Sequence, residues 1–300
     1  MLNHKSAIEM TAAVVGLGLI GGSIALEIRK HGLANEIFGV DANEQNRTLA
    51  TELELVDRIL PIEEALKDAS LVILATPVST LPQLTEEALD LSSAGCIIID
   101  TGSTKQQVCK AISGHPQRSR FVASHPIAGT ENSGPSAAFT GLFTGKTNII
   151  CEREKSSSPA IDGAMKLFDA LGMKTIFMDP VEHDRHAAYV SHLSHVSSFL
   201  LGQTVLDMEK DEKNIFNLAG SGFASTVRLA KSSPQMWAPI FEQNAEYLSQ
   251  ALLEYIMHLQ RFHYHLMKKD TTELMRIMTQ ANDIRRVLEG IALNQTEQPS

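Results

Sequence analysis

The sequence predicts a doubly wound α/β domain over residues 1–179 and an all-helical domain over residues 180–300. Two observations support this division. In the first part, short runs of Val, Ile and Leu alternate with amphipathic stretches, which is typical of a parallel sheet covered by helices on both faces. After Asp179 and Pro180 the strand signals stop, and apolar residues recur at helical spacing almost to the end of the chain.

Each apolar run in the α/β part predicts a strand, and each amphipathic stretch between two runs predicts a helix. The strands are predicted at 11–17, 36–41, around 59, 70–76, 95–100 and 121–124, and the helices at 20–31, 45–53, 80–91 and 104–112. Residues 147–151, 160–171 and 174–178 predict one more strand–helix–strand unit. In the helical part, helices are predicted at 181–210, 211–231, 234–269 and 271–293.

The composition is that of an ordinary globular protein and argues against two classes of partner. The formal net charge of −9 argues against non-specific nucleic-acid binding, because such binding needs a basic face. No run of about 18 apolar residues predicts a membrane span, and the N-terminus lacks the apolar core of a signal peptide. Three cysteines without metal-type spacing, Cys96, Cys109 and Cys151, are typical of core residues in a reducing compartment. We therefore expect a cytoplasmic protein that acts on a small molecule.

A glycine motif marks the turn between the first strand and the first helix. Residues 16–21 read Gly-Leu-Gly-Leu-Ile-Gly and match G-x-G-x-x-G. Gly16 permits the tight turn, Gly18 lets the backbone approach a pyrophosphate, and Gly21 lets helix and strand pack closely. Together with Leu19 and Ile20 at the helix start, they predict a Rossmann-type dinucleotide site. A glycine turn without a ligand is the alternative, which the strand–turn–helix context disfavours.

Asp41, at the end of the second strand, favours NAD as the cofactor. It follows Gly21 by twenty positions, where a carboxylate accepts hydrogen bonds from the adenosine ribose hydroxyls and repels a 2′-phosphate. Arg47 could tolerate that phosphate, and Asp41 could also cap the following helix. Ligands of doubly wound sheets lie beyond the carboxyl ends of the strands, so Thr76, Pro77 and Asp100 are further predicted cofactor contacts.

Three later segments carry the polar residues that suggest chemistry. Residues 124–134 read Ser-His-Pro-Ile-Ala-Gly-Thr-Glu-Asn-Ser-Gly and follow a predicted strand. Residues 183–195 contain His183, Asp184 and His186, followed by Ser-His-Leu-Ser-His. Residues 220–223 read Gly-Ser-Gly-Phe and lead to Arg228.

With these segments, the sequence resembles the prephenate/arogenate dehydrogenase family from about residue 11 to residue 289. The resemblance implies an oxidoreductase that uses NAD for the oxidative decarboxylation of prephenate to 4-hydroxyphenylpyruvate in tyrosine biosynthesis. Arogenate is the alternative substrate. Two other interpretations are a different NAD(P) dehydrogenase with a helical domain and a non-catalytic NAD-sensing protein. The first would lack the residue 124–131 motif, and the second would have no reason to combine His125 with Arg228.

The resemblance also implies roles for particular residues. His125 would bond the ring hydroxyl of the substrate and assist its deprotonation, and Arg228 would anchor a substrate carboxylate. Glu131 would shape and gate the pocket. The remaining implied substrate contacts are Ser103, Ser191, His192 and His195. The chain departs from the family pattern at residues 224–227, where Ala-Ser-Thr-Val replaces a run that begins with an Arg-Asp pair in many relatives.

Simpler interpretations of these residues stay open. His125 and Arg228 could be surface residues, and His192 and His195 could be satisfied imidazoles on one face of a buried helix. A metal site is disfavoured because no H-E-x-x-H pattern is present and hydride transfer needs no metal. The resemblance implies a single activity, without a chorismate mutase or regulatory domain. Apolar residues recurring at helical spacing suggest a homodimer formed through helices: Leu252, Leu253, Ile256, Leu259 and Phe262. We expect the active site to lie between the two domains.

Overall fold

The computed structural model of the chain describes residues 10–210 and 214–289. The strands are β1 (Thr11–Val15), β2 (Glu36–Val40), β3 (Arg58–Ile59), β4 (Leu71–Leu74), β5 (Ile97–Asp100), β6 (Phe121–Pro126), β7 (Thr147–Cys151) and β8 (Lys174–Met178). The helices are α1 (Leu19–Lys30), α2 (Glu44–Glu52), α3 (Ile62–Asp68), α4 (Leu81–Leu91), α5 (Gln106–Ala111), α6 (Ser158–Ala170), α7 (Pro180–Ala187), α8 (Leu193–Glu209), α9 (Ser221–Thr226), α10 (Pro234–Gln243), α11 (Ala245–Met267) and α12 (Thr271–Ala281).

The strands form one mixed sheet in the order β3-β2-β1-β4-β5-β6-β7-β8. The predicted parallel pairing is confirmed from β3 across to β6 and again between β7 and β8. It is wrong between β6 and β7, which pair antiparallel. Parallel neighbours need a crossover, usually a helix. The chain between these two strands has only a short 3₁₀ turn at Pro135–Ala137, so β7 returns antiparallel beside β6.

Alternate strand residues pack on opposite faces of the sheet, because successive side chains of a strand point to opposite sides. Ala12 and Val14 of β1 join a core layer with α1 and α6, whereas Ala13 and Val15 join a second layer with α3, α4 and α5. The second layer also contains Trp237 of α10. Both faces are therefore buried, as near-continuous apolar strands require.

The turn after β1 opens a crevice at the carboxyl edge of the sheet. β1 lies between β2 and β4, so the connections leaving these strands run to opposite sides of β1. Open α/β sheets bind ligands at such a reversal of strand order. The fold therefore places the glycine turn, the end of β2 and the end of β4 around one crevice.

The helical part agrees with the prediction in class but differs in its boundaries. α7 continues through a π-helical turn at Ala188–His192 into α8. The predicted helix over 234–269 is interrupted at Asn244, which has a non-helical φ of −110°. Helix α3 has no counterpart among the predicted helices. The predicted helices over 211–231 and 271–293 extend partly outside the described residues.

The described residues divide after Asn244 into two compact units. The first holds the sheet and α1–α10. In the second, α11 and α12 pack together, and the side chain of Asp270 caps α12 by accepting from the backbone N–H of Glu273. The predicted domain boundary between residues 179 and 180 stays a prediction. No helix in residues 10–210 or 214–289 is long and apolar enough to cross a membrane.

Candidate active site

The glycine turn after β1 has the geometry that the sequence motif predicts. Gly16 has a φ of +94°, and a Cβ at this position would lie 2.4 Å from the carbonyl oxygen of Ala75. A Cβ at Gly21 would lie 1.9 Å from the carbonyl oxygen of Gly16. Around Gly18, by contrast, a Cβ would meet no atom within 4 Å. The first and third glycines are therefore required by close backbone packing, and the second leaves open space beside the first turn of α1.

Asp41 lies at the end of β2 and faces this turn. Its carboxylate accepts hydrogen bonds from the backbone N–H groups of Leu17, at 2.9 Å, and Asn43, at 2.8 Å, and from the side-chain amide of Asn46. Asn43, not Asp41, caps α2. The Arg47 guanidinium donates to the carbonyl oxygens of Asp41 and Ala42 and makes no hydrogen bond to the Asp41 carboxylate among the described residues. Among the described residues the Asp41 carboxylate thus has only neutral hydrogen-bond donors, and it borders the crevice.

A cavity of about 1,030 Å³ occupies the crevice. Five of the predicted cofactor residues line it: Gly16, Gly18, Asp41, Thr76 and Pro77. Arg47 also borders it. Open backbone at Gly18, a helix N-terminus and a carboxylate at the end of β2 are the features that a dinucleotide requires. The residues present therefore fit such a cofactor.

Asp100, at the end of β5, forms a buried ion pair and several buried hydrogen bonds. It is fully buried, and its carboxylate accepts from the backbone N–H groups of Gly102 and Ser124, both at 3.0 Å. The ammonium group of Lys105, also fully buried, donates to the same carboxylate and to the carbonyl oxygen of Ser124. With these partners the carboxylate fixes the start of the loop that follows β5. Its predicted cofactor contact stays a prediction.

His125, near the end of β6, is the first of a chain of hydrogen-bonded side chains. Its Nδ1 lies 2.8 Å from Nε2 of His183, and Nδ1 of His183 lies 2.7 Å from a carboxylate oxygen of Asp184. The Asp184 carboxylate also accepts from the backbone N–H groups of Lys105 and Gln106 at the start of α5. This chain ties β6 to α7 and α5.

Burial of the imidazole holds the pKa of His125 well below its usual range, and the nearby His183, Lys105 and His192 lower it further. His125 is nevertheless partly exposed. Its imidazole is therefore neutral near pH 7 and able to accept a proton from a ligand.

His192 and His195 are held in different ways. His192 is only 1% exposed, and this burial lowers its pKa to about 4. Its Nδ1 atom lies 3.0 Å from the side-chain nitrogen of Asn244. His195 donates from Nδ1 to the carbonyl oxygen of Ser191 and stacks on Trp237, with ring centroids 3.5 Å apart. Burial lowers the pKa of His195 as well, and the charge of Arg228 adds to that effect.

Arg228 and Glu131 form an ion pair. Nη1 of Arg228 lies 3.2 Å from Oε2 of Glu131, and the two side chains are 53% and 33% exposed. The buried side-chain atoms without a hydrogen-bond partner in the described residues include Oγ of Ser103, a predicted substrate contact, and Nε1 of Trp237, which stacks on His195. Unsatisfied buried polar groups are costly, so their presence is an argument for a polar ligand.

Most of the predicted substrate residues therefore lie close to one another. The charge of His192 lowers the pKa of His125, and the charge of His195 lowers the pKa of His192. The charge of Arg228 in turn lowers the pKa of His195. Glu131 joins the group through Arg228. In the part of the chain that the structure describes, no three His, Cys, Asp or Glu residues are placed to hold a metal ion.

Comparisons with known proteins match two family models. Residues 24–177 match the nucleotide-binding domain of prephenate dehydrogenase, and residues 179–280 match its dimerization domain. A prephenate dehydrogenase of Bacillus subtilis is 33% identical to this chain, over 95% of this chain and 77% of the relative. The chain belongs to the prephenate dehydrogenase family.

Two further relatives each match most of this chain and most of their own length. A cyclohexadienyl dehydrogenase of Zymomonas mobilis is 30% identical, over 92% of this chain and 95% of the relative. The crystal structure of prephenate dehydrogenase from A. aeolicus, in complex with hydroxyphenyl propionate and NAD⁺, superposes with a TM-score of 0.85. It is 28% identical and covers 95% of this chain and 100% of that one.

The structure places several residues at the site that the sequence motifs do not predict. His183 and Asp184 belong to the histidine-rich run, but the resemblance implies no role for them, and it implies none for Trp237. Lys105 and Asn244 gave no signal. A buried lysine or asparagine cannot be distinguished from an exposed one in a single sequence. The pair His183-Asp184, however, could have been recognised as a possible base and its orienting acid.

Proposed function

We propose that this chain catalyses the NAD-dependent oxidative decarboxylation of prephenate to 4-hydroxyphenylpyruvate in tyrosine biosynthesis. The observation that carries the proposal is the neutral, partly exposed imidazole of His125, held by His183 and grouped with His192, His195 and Arg228. The relative from A. aeolicus was crystallised with NAD⁺ and a hydroxyphenyl propionate, which has the ring hydroxyl and side-chain carboxylate expected of such a ligand.

The residues of the chain would divide the work in the reaction. NAD⁺ supplies a hydride acceptor when bound. The Nε2 atom of His125 accepts the proton of the substrate hydroxyl as the carbinol carbon is oxidised. The ring carboxylate leaves as CO₂, and the ring becomes aromatic. The guanidinium of Arg228 binds a substrate carboxylate and holds the ring in position.

The test is a spectrophotometric assay of NADH formation with prephenate and arogenate, each with NAD and NADP. The proposal expects turnover with prephenate and NAD. Arogenate is the second candidate substrate, because the Zymomonas mobilis relative is named for the broader cyclohexadienyl class. A purified, folded enzyme that turns over neither substrate would refute the proposal.

We expect Asp41 to determine the preference for NAD over NADP. Asp41→Asn keeps an oxygen for the N–H of Leu17 but removes the charge. A hydrogen bond to a charged group is worth about 1.5–3 kcal/mol, so the affinity for NAD should fall by roughly 10- to 100-fold. The preference for NAD over NADP should also weaken, which kcat/KM measured with each cofactor reports. Glu44→Gln, an exposed acid at the start of α2, is the control and should change neither value. A wild-type enzyme that prefers NADP would contradict this assignment.

A homodimer is the assembly that we propose. The family model over residues 179–280 is that of a dimerization domain. Within the second compact unit, α11 exposes large apolar side chains: Leu253, Ile256, Met257, Leu259 and Phe262. Light scattering at micromolar concentration should give twice the chain mass of 32.8 kDa. A mass of one chain would contradict the proposal.

A cytoplasmic location is also proposed. Cys96, Cys109 and Cys151 are buried and unpaired, as is usual in a reducing compartment.

A further inference from the structure

Asp184 connects two of the histidines in the cluster. Its carboxylate contacts His183, which contacts His125, and its backbone carbonyl oxygen accepts from the side-chain nitrogen of Asn244 at 2.7 Å. The same nitrogen of Asn244 lies 3.0 Å from Nδ1 of His192. We infer that Asp184 holds His125 and His192 in opposite tautomers, so that His125 presents an unprotonated Nε2 and His192 a protonated one. This inference rests on the proposed function for its chemical meaning.

The tautomer of His125 follows from the order of donors and acceptors. The Asp184 carboxylate already accepts from two backbone N–H groups, so an ionised carboxylate acts as an acceptor toward Nδ1 of His183 as well. A neutral His183 with its proton on Nδ1 has a lone pair on Nε2. His125 must then donate from Nδ1, which leaves its own Nε2 free of a proton.

His183 connects Asp184 to His125 through its two ring nitrogens. It is 2% exposed, and the fully buried ammonium of Lys105 lies in the same interior, where its charge lowers the pKa of His125. Within residues 10–210 and 214–289, Nε2 of His125 makes no hydrogen bond, so it is available to a substrate hydroxyl.

The tautomer of His192 follows from Asn244. A backbone carbonyl can only accept, so the Asn244 atom that contacts the carbonyl oxygen of Asp184 must be the amide nitrogen. The second hydrogen of this amide points to Nδ1 of His192, which must be unprotonated. A neutral His192 therefore carries its proton on Nε2, which makes it a donor for the substrate contact that the resemblance implies.

The two tautomers match two different tasks. A proton acceptor is needed at the hydroxyl that is oxidised, and a neutral donor suits a carboxylate or carbonyl oxygen. His183, Asp184 and Asn244 are thus positioning residues, because they act through His125 and His192. Asn244 lies at the break between α10 and α11, and its side chain bridges α7 and the π-helical turn.

The direct test is ¹⁵N NMR of wild-type enzyme labelled on histidine, without substrate. Protonated and unprotonated ring nitrogens have well-separated shifts, and the His125 and His192 signals are assigned by their loss in His125→Asn and His192→Gln. We expect His125 protonated on Nδ1 and His192 protonated on Nε2. The same tautomer in both, or the reverse pair, would overturn the inference. This readout needs no turnover, so it can fail or succeed independently of the proposed function.

Kinetics of two variants provide the second test. His183→Leu removes the acceptor for His125 and should lower kcat by roughly 10²-fold with KM for prephenate within a few-fold, because a misplaced tautomer removes the base. His183→Gln places an amide oxygen where Nε2 was and should restore most of kcat. Asn244→Leu should instead raise KM by about 10-fold with little change in kcat, as expected when one hydrogen bond to a charged group is lost.

His186→Leu is the matched control, because His186 lies on the same helix and is exposed. It should leave kcat and KM unchanged. The thermal midpoint and the dissociation constant of NAD are measured for each variant to recognise loss of folding. A His183→Gln variant as slow as His183→Leu, with normal folding, would contradict the positioning role. Equal effects of both substitutions on KM and kcat would contradict the division of tasks.

Discussion

The variant His125→Asn is expected to lower kcat by about 10²- to 10⁴-fold, the usual contribution of a general base. Asn keeps the polar character of the position but cannot accept and hold the proton of the substrate hydroxyl. Because His125 lies outside the cavity that holds the glycine turn, the dissociation constant of NAD should stay within a few-fold of wild type. Steady-state kinetics with prephenate and fluorescence titration with NAD measure the two quantities. A variant with near-normal kcat would remove His125 from the chemistry.

The pH profile of the wild-type enzyme adds a second expectation about the same residue. Burial, His183, Lys105 and His192 all lower the pKa of His125, while Asp184 acts on it only through His183. The active form is the neutral one, so a lowered pKa extends activity toward acid. The acid limb of kcat/KM should therefore lie below the ordinary histidine pKa of about 6.5. His186→Asn, on an exposed face, should keep both the rate and the profile.

Most of the sheet could be predicted from the sequence because its central strands, such as β1, β4 and β5, are buried on both faces. Continuous apolar runs such as those of β4 and β5 have few alternatives, and the glycine turn identifies β1. The sequence pattern does not predict helix α3, because the helix is only seven residues long and four of its residues are charged: Glu63, Glu64, Lys67 and Asp68. The direction of β7 could not be predicted, because strand direction depends on the path of residues 127–146 and not on the composition of the strand.

The residues of the candidate site also fall into two groups, those that the sequence predicts and those that it does not. Residues whose role depends on local geometry, such as Gly16 and Gly21, behave as predicted because their neighbours in sequence are also their neighbours in space. Residues whose role depends on distant contacts could not be predicted. Asp184 contacts α5 about eighty positions earlier, and Asn244 contacts a histidine fifty-two positions earlier. Such pairings are properties of the folded chain.

The variant Arg228→Ala is expected to raise KM for prephenate by about 10²-fold, which corresponds to roughly 3 kcal/mol. Prephenate carries two carboxylates, and the protein has a net charge of −9, so the site must provide a specific cation. In the described structure the guanidinium is half-exposed and pairs with Glu131. An exposed ion pair of this kind contributes at most about 1 kcal/mol to stability, so the variant should fold normally. A substrate that covers Arg228 would exclude water and strengthen the contact with its carboxylate.

Three further variants separate the anchoring role from the alternatives. Arg228→Lys should restore binding only partly, because an ammonium is a point charge and cannot form the bidentate pair. Arg58→Ala is the matched control, since Arg58 is also an exposed arginine paired with a glutamate, Glu36, and should leave KM unchanged. Glu131→Gln removes the competing partner of Arg228, so KM for prephenate should not rise as it does in Arg228→Ala. If Glu131→Gln raised KM as much as Arg228→Ala, the ion pair itself, and not the free cation, would be the feature that prephenate needs. An unchanged KM in Arg228→Ala would assign the carboxylate to another donor, with His192 and His195 the next to test.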